Sequence, residues 1–242
     1  MSIFKWILIA GLIILALGAA FYLIHVKPPL SIDEGSLPKF VKADFIDLNR
    51  VHRISKFRSG YGHDYSEPGE PCRSMKHYFQ PRSQDPIDPA TYTPKQPYIN
   101  IYSPVDGNIA SIQEEGFKVG KQIHISPDGF PAYTIRLFHV YPKAGLKWGS
   151  KVSAGEMIGT IGATQGTDIS VEIQTLKGTR LASYFEVMPD SIFETYKKLG
   201  VKSRSDLIIS KEYRDSHSLG CYGEKFTVMG SEGPENWAFL NQ

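Results

Sequence analysis

Apolar residues follow three rhythms along this 242-residue chain. The first is an unbroken run from Trp6 to Ile24 that carries no charge and lies between Lys5 and Lys27. A helix needs roughly 20 apolar residues to cross the hydrocarbon core of a bilayer. The run therefore predicts a membrane anchor, with Trp6 and Tyr22 placed as interface residues. The rival is a cleaved signal peptide, cut after Ala16-Leu17-Gly18 or Gly18-Ala19-Ala20. Phe21-Tyr22-Leu23-Ile24 continues past both sites, which favours an uncleaved anchor. Pro28-Pro29 ends it, because proline cannot continue a helix, and Leu30 to Lys39 reads as a linker.

The second rhythm is a spacing of three. Phe45, Leu48, Val51 and Ile54 fall on one face if Ala43 to Arg58 is helical. Tyr61 to Pro97, rich in Pro, Ser, Asp and Tyr, then reads as a long loop, of a length that is usually functional or disordered. The third rhythm is alternation. Tyr98 to Tyr102 predicts a strand, and Asn108 to Ile112 its hairpin partner across the turn Pro104-Val105-Asp106-Gly107. Further strands are expected at Gln122–Ile125, Tyr133–Val140, Lys151–Val152, Met157–Gly162 and Ile169–Ile173, and a helix at Ser191–Lys198. From Asp206 onward no regular pattern stands out. Many short strands between Gly and Pro turns predict a mainly β protein, an antiparallel sandwich or open barrel. The organisation expected is an anchor over 1–27, a linker and short helix over 28–60, a β domain with a long N-terminal loop over 61–190, and a helix and loop-rich extension over 191–242.

Composition changes this picture in two places. The net charge is +2 with no polybasic block, so no nucleic-acid partner is expected, since phosphate binding needs a concentrated basic footprint. The two cysteines, Cys72 and Cys221, are far apart and form no C-x-x-C pair. They fit one disulfide in an extracytoplasmic domain or two buried thiols. Counting basic residues, Lys5 before the anchor against Lys27, Lys39 and Lys42 after it points the other way, to a cytoplasmic domain. The reading carried here is a single-pass membrane protein with its domain outside the cytoplasm.

Five segments then come in a telling order. They are Ser103-Pro104-Val105-Asp106-Gly107-Asn108-Ile109, Gly120 to Ile125, Arg136-Leu137-Phe138-His139-Val140, Gly149 to Gly162, and Gly166 to Ile173. Together they resemble the lysostaphin-type (LytM-like) zinc metallopeptidase domain, the duplicated hybrid motif. The resemblance covers about a third of the chain. In that family zinc is held by the His and Asp of an early H-x-x-x-D segment and by the second His of H-x-H. The first His of H-x-H and the His of Y-x-H assist the attacking water.

Here His139 stands at the Y-x-H position, and the H-x-H slot reads Asp168-Ile169-Ser170. A serine hydroxyl is a poor zinc ligand. The early segment is altered too: Glu67 and Pro81 follow His63 and His77 where an Asp would stand. The resemblance thus implies His139 and Asp168 as the catalytic positions and His63, Asp64 and His77 as the source of a rearranged zinc site. Two readings follow. One is a degenerate envelope module that binds a cell-wall or envelope peptide, or an envelope hydrolase. The other is a zinc endopeptidase of such peptides. A biotinyl or lipoyl carrier, which shares small β hairpins, would need a lysine at a hairpin tip, and Lys76 lies outside the hairpin region. Asp215-Ser216-His217 lacks the setting of a hydrolase triad. Asp106 reads as a turn residue, because Asp-Gly is hairpin chemistry.

Overall fold

A computed structural model describes residues 3–25, 36–82, 98–116, 119–162, 165–227 and 234–241. Pro28-Pro29, the first part of the expected linker and the end of the expected loop at Pro97 lie outside these residues. The elements are α1 (Ile3–His25), β1 (Val51–Ser55), β2 (His77–Pro81), β3 (Ile99–Tyr102), β4 (Gly107–Glu114), β5 (Lys121–Pro127), β6 (Tyr133–Pro142), β7 (Lys151–Val152), β8 (Met157–Ile161), β9 (Thr167–Thr175), β10 (Gly178–Ala182), α2 (Asp190–Lys198), α3 (Lys211–Ser216), β11 (Cys221–Tyr222), β12 (Lys225–Phe226) and β13 (Trp237–Phe239). The fold is mainly β and antiparallel, as expected, and the sheet does not close into a barrel. Helix α1 is long and apolar enough to cross a membrane, and Lys5–Tyr22 buries nothing against the rest of the chain.

One path of strands runs β13-β1-β2-β9-β6-β5-β4-β7. Strand β10 pairs with the second half of β9, and β8 joins β3 to the far end of β6. Strand β9 is the centre. Its even-numbered residues Asp168, Ser170 and Glu172 lie on one face, and Ile169, Val171 and Ile173 on the other, because side chains alternate along a strand. The apolar face joins the main core, which also holds Phe45, Val51, Ile54, Phe79, Ile125, Leu137, Ile158, Tyr184, Phe185 and Tyr196. Leu37, from the stretch expected to be linker, is buried in it as well, as are Phe40 and Val41 just after that stretch.

Three sequence expectations are corrected. Ala43–Arg58 is not a helix. A 3-10 turn over Leu48–Arg50, capped by the Asp47 carboxylate on Asn49 N–H, leads directly into β1. The register of β1 on β2 shifts between Val51 and Arg53, so His52 is an extra residue that bulges outward. A bulge puts residues three apart on one face, and this is why Val51 and Ile54 imitate helical spacing. Ile99–Tyr102 does not fold back on Asn108–Ile112 either. Strand β3 pairs with β8, and β4 pairs with β5 and β7. A Cβ at Gly107 would stand 2.3 Å from the Ser126 carbonyl oxygen, so the turn crosses to another strand rather than reversing on its own. Finally, the stretch expected as a loop holds β2, and the unpatterned tail supplies β13, which pairs with β1.

Candidate functional site

The site lies where β2 meets the start of β9. Their register sets Tyr78 opposite Asp168 and His77 opposite Ile169. Lys76, Tyr78 and Gln80 therefore face one side, and His77 and Phe79 face the core. On the polar side lies an open cleft of about 330 Å³. Its walls include Tyr61, Gly62, His63, Lys76, Tyr78, Gln80, His139, Gln165 and Asp168. Gly62 is required here: its φ is +77° and a Cβ would lie 2.1 Å from the Tyr78 hydroxyl.

The floor of the cleft is an ion pair. Lys76 Nζ donates to Asp168 Oδ2 at 2.6 Å, and both side chains are about 2% exposed or less. The same ammonium lies 3.2 Å from His63 Nε2. His63 Nδ1 is 2.9 Å from the Asp64 carbonyl oxygen, which can only accept, so Nδ1 carries the proton and Nε2 accepts from Lys76. The rings of Phe138, Tyr78 and Tyr65 surround the ammonium with centroids at 4.4, 4.8 and 5.1 Å.

His139 enters from β6. That strand leaves β9 after Leu137 and reaches β8 at Tyr141, and His139 sits at the kink with φ +62°. Such a backbone in a non-glycine residue re-aims a side chain. Gly120 lets the neighbouring loop approach, since a Cβ there would stand 2.6 Å from the His139 carbonyl carbon. Glu115 holds the histidine twice, accepting from its backbone N–H at 2.7 Å and lying 2.9 Å from Nδ1. Nε2 is thereby turned toward Asp168 Oδ2, 3.7 Å away. Burial pushes the imidazole toward its neutral form, but the Glu115 and Asp168 carboxylates outweigh it and hold the His139 pKa above the ordinary histidine value. Burial likewise opposes the charge on Glu115, and the bond to His139 overcomes it and keeps the carboxyl below its usual range.

Ser170 is committed elsewhere. Its hydroxyl lies 3.2 Å from the Tyr65 phenol, which donates to Glu172 at 3.0 Å and accepts from Arg136 at 3.1 Å. Burial, then the Glu172 charge, pushes the Tyr65 pKa up to about 12.

The structure thus gathers His63, His139 and Asp168 around one cleft and leaves Asp64 and His77 outside it. Asp64 Oδ1 accepts from the Arg73 backbone N–H at 3.1 Å. His77 lies on the opposite face of β2, donating from Nδ1 to the Ser55 carbonyl and accepting at Nε2 from Ser183, both at 2.8 Å. Glu67 is bound to Arg180 and the Leu181 N–H. Among the described residues no group of three or more His, Cys, Asp or Glu side chains is arranged to hold a metal ion. An ammonium bonded to Asp168 and a serine beside it do not fit zinc, which takes imidazole, thiolate or carboxylate donors. The residue that sequence reasoning missed is Lys76. Its only signal was a lysine inside an alternating apolar and aromatic stretch.

Elsewhere, Cys72 and Cys221 form a disulfide. Asp106 caps a turn, accepting from Lys42 and the Ala154 N–H. Asp215 pairs with Arg73 and Lys211 rather than with His217.

Burial lowers the His77 pKa to about 4. A depressed folded pKa means that the stability is present above the unfolded value, near 6.5, and is lost as the pH falls toward 4. The shift corresponds to about 3 kcal/mol. Urea unfolding from pH 7 to 4 should therefore show a steeper loss in the wild type than in His77→Gln. Parallel slopes would assign the acid sensitivity to other groups.

No family model matches the chain, and no curated protein does. Among solved structures it is similar to lysostaphin (16% identity over 50% of this chain and 45% of that one, TM-score 0.31). It is also similar to the LytM protein of Ruminococcus gnavus (19%, 62% and 60%, 0.39) and to Csd3 of Helicobacter pylori (18%, 74% and 45%, 0.40). The chain thus spans between 45% and 60% of the length of these proteins.

Proposed function

We propose that this protein is a single-pass, membrane-anchored module of the LytM-like type that binds an envelope peptide, or an envelope hydrolase carrying such a surface, without cutting it. The observation that carries the reading is the state of the two residues in the H-x-H slot. Asp168 is bonded to the Lys76 ammonium at 2.6 Å, and Ser170 is engaged by Tyr65. Neither offers the imidazole that a zinc peptidase of this kind needs there. What remains is an open cleft with two partly exposed histidines, His63 and His139, flanked by Gln80 and Gln165. These groups suit hydrogen bonding to a peptide backbone. The Cys72–Cys221 disulfide supports a domain outside the cytoplasm, since disulfides persist in oxidising compartments.

The test uses the full chain in detergent with purified cell-wall sacculi. The expected result is co-sedimentation with no soluble peptide released, and a roughly tenfold weaker association for His139→Ala. Peptide release that grows with added zinc and vanishes in His139→Ala would replace this reading with the endopeptidase one.

A further inference from the structure

We infer that the Lys76 ammonium is the resident cation of the cleft, a charge tethered by the chain itself at the point where Asp168 and His63 converge. Three observations carry this. The ammonium has a full set of partners: the Asp168 carboxylate at 2.6 Å, the His63 imidazole at 3.2 Å, and three aromatic faces within 5.1 Å. Aromatic faces attract a cation and accept no other kind of charge. The pair is also almost wholly removed from water, so its charges must be balanced internally. Finally, the same Asp168 oxygen lies 3.7 Å from His139 Nε2. One carboxylate oxygen therefore links the ammonium, and through it His63, to the opposite wall of the cleft.

In the family that the sequence resembles, a metal ion is held by the early segment, where His63 is the candidate, and by the second His of H-x-H, where Ser170 stands, while Asp168 fills the slot of the water-assisting histidine. Here a lysine side chain ties His63 to Asp168 through hydrogen bonds. The arrangement follows from register. Lys76 immediately precedes β2, which sets Tyr78 opposite Asp168, so Lys76 reaches the carboxylate diagonally across the strand pair. Lys76 is a positioning residue, and its role is set by charge rather than by bulk. The inference does not depend on what the cleft binds, because stability and metal content read it out directly.

The experiment is cation rescue in the full chain. Lys76→Ala should lower the melting temperature by roughly 10 °C, because it leaves Asp168 buried without its partner. Propylammonium, which replaces the missing end of the side chain, should restore at least half of that loss. Propanol, of similar size and neutral, should not, and neither should shift the wild type. Equal rescue by both, or a loss below about 3 °C in Lys76→Ala, would show that charge is not what the site requires. Should Lys76→Ala not fold, Lys76→Met is compared with Lys76→Met/Asp168→Asn. Removing both charges should give a protein several degrees more stable than removing one, and a double variant no better than the single overturns the proposal. Wild-type protein incubated with zinc and passed through a desalting column should carry none. Stoichiometric zinc that raises its melting temperature would mean that a metal displaces the lysine, and the inference would fail.

Discussion

Glu70→Ala is expected to destabilise the domain by roughly 4 kcal/mol, among the largest losses from a single substitution outside the apolar core. Glu70 is 1% exposed and accepts from three guanidinium nitrogens. Arg58 grips it with Nε at 2.6 Å and Nη2 at 2.9 Å, and Arg73 adds Nη1 at 2.8 Å. Arg58 is itself 2% exposed and Arg73 4%. Removing the carboxylate leaves two buried positive charges facing one another, with Asp215 beside Arg73. Burial by itself would raise the Glu70 pKa, but Arg58 and Arg73 outweigh it and hold the carboxyl below the ordinary range. By the same linkage this stability is present above the ordinary glutamate pKa and is lost in acid. For a domain of this size the loss corresponds to a drop of roughly 10 to 15 °C in melting temperature. A drop under about 3 °C would mean that water reaches the network and screens it as it does a surface pair.

This network is a case of what the sequence could not show. Arg58, Glu70, Arg73 and Asp215 are spread over more than 150 positions, and nothing local marks them as neighbours. Strand positions from Ile99 to Thr175 were legible because the sheet has one apolar and one polar face over much of that span, and glycine marks its turns. Pairing was less legible: a turn sequence specifies a reversal, and here β3 pairs with β8 and β4 with β5 and β7 instead, with the Ser126 carbonyl packed against Gly107. The His52 bulge turned a strand into apparent helix for the same reason, since the extra residue changes the spacing without changing the burial.

At the site, His139 and Asp168 were found through the resemblance, by their order among glycine turns. His63 came from its polar, glycine-flanked loop. His77 looked equivalent to it, and one residue of strand alternation sends it to the opposite face. Lys76 carried no signal beyond its place in an alternating apolar and aromatic stretch. Lysine is among the least buried residue types, so an expectation built on residue type places it in solvent. Only the register of β2 on β9, set by pairing across 90 residues, brings it to Asp168.

Reduction of the Cys72–Cys221 bond is expected to cost up to about 5 kcal/mol and to loosen one wall of the cleft before the rest of the domain. The bond closes a loop of 149 residues. Cross-links that long remove the most freedom from the unfolded chain, and typical measured values run from about 2 to 4 kcal/mol. Its position decides where the effect is felt. Cys221 begins the β11–β12 hairpin, and in the turn of that hairpin the Glu224 carbonyl accepts from the Asp64 N–H at 2.7 Å. Asp64 in turn accepts from Arg73 N–H, next to Cys72, and its own carbonyl orients His63. Tyr222 is 85% exposed, and Thr227 returns to Gly220 within the same segment. Cutting the covalent tie should free the hairpin, and with it the hydrogen bond that fixes the His63 loop. Hydrogen exchange on the folded protein, with and without reductant, measures this directly. The Asp64 amide should exchange at least tenfold faster after reduction through local opening, about 1.4 kcal/mol beyond any acceleration it shares with amides in β6 and β9, which follow the global loss. Uniform acceleration across all strands would mean that the bond acts only through global stability. Unchanged exchange at Asp64 would mean that the hairpin holds its place without it.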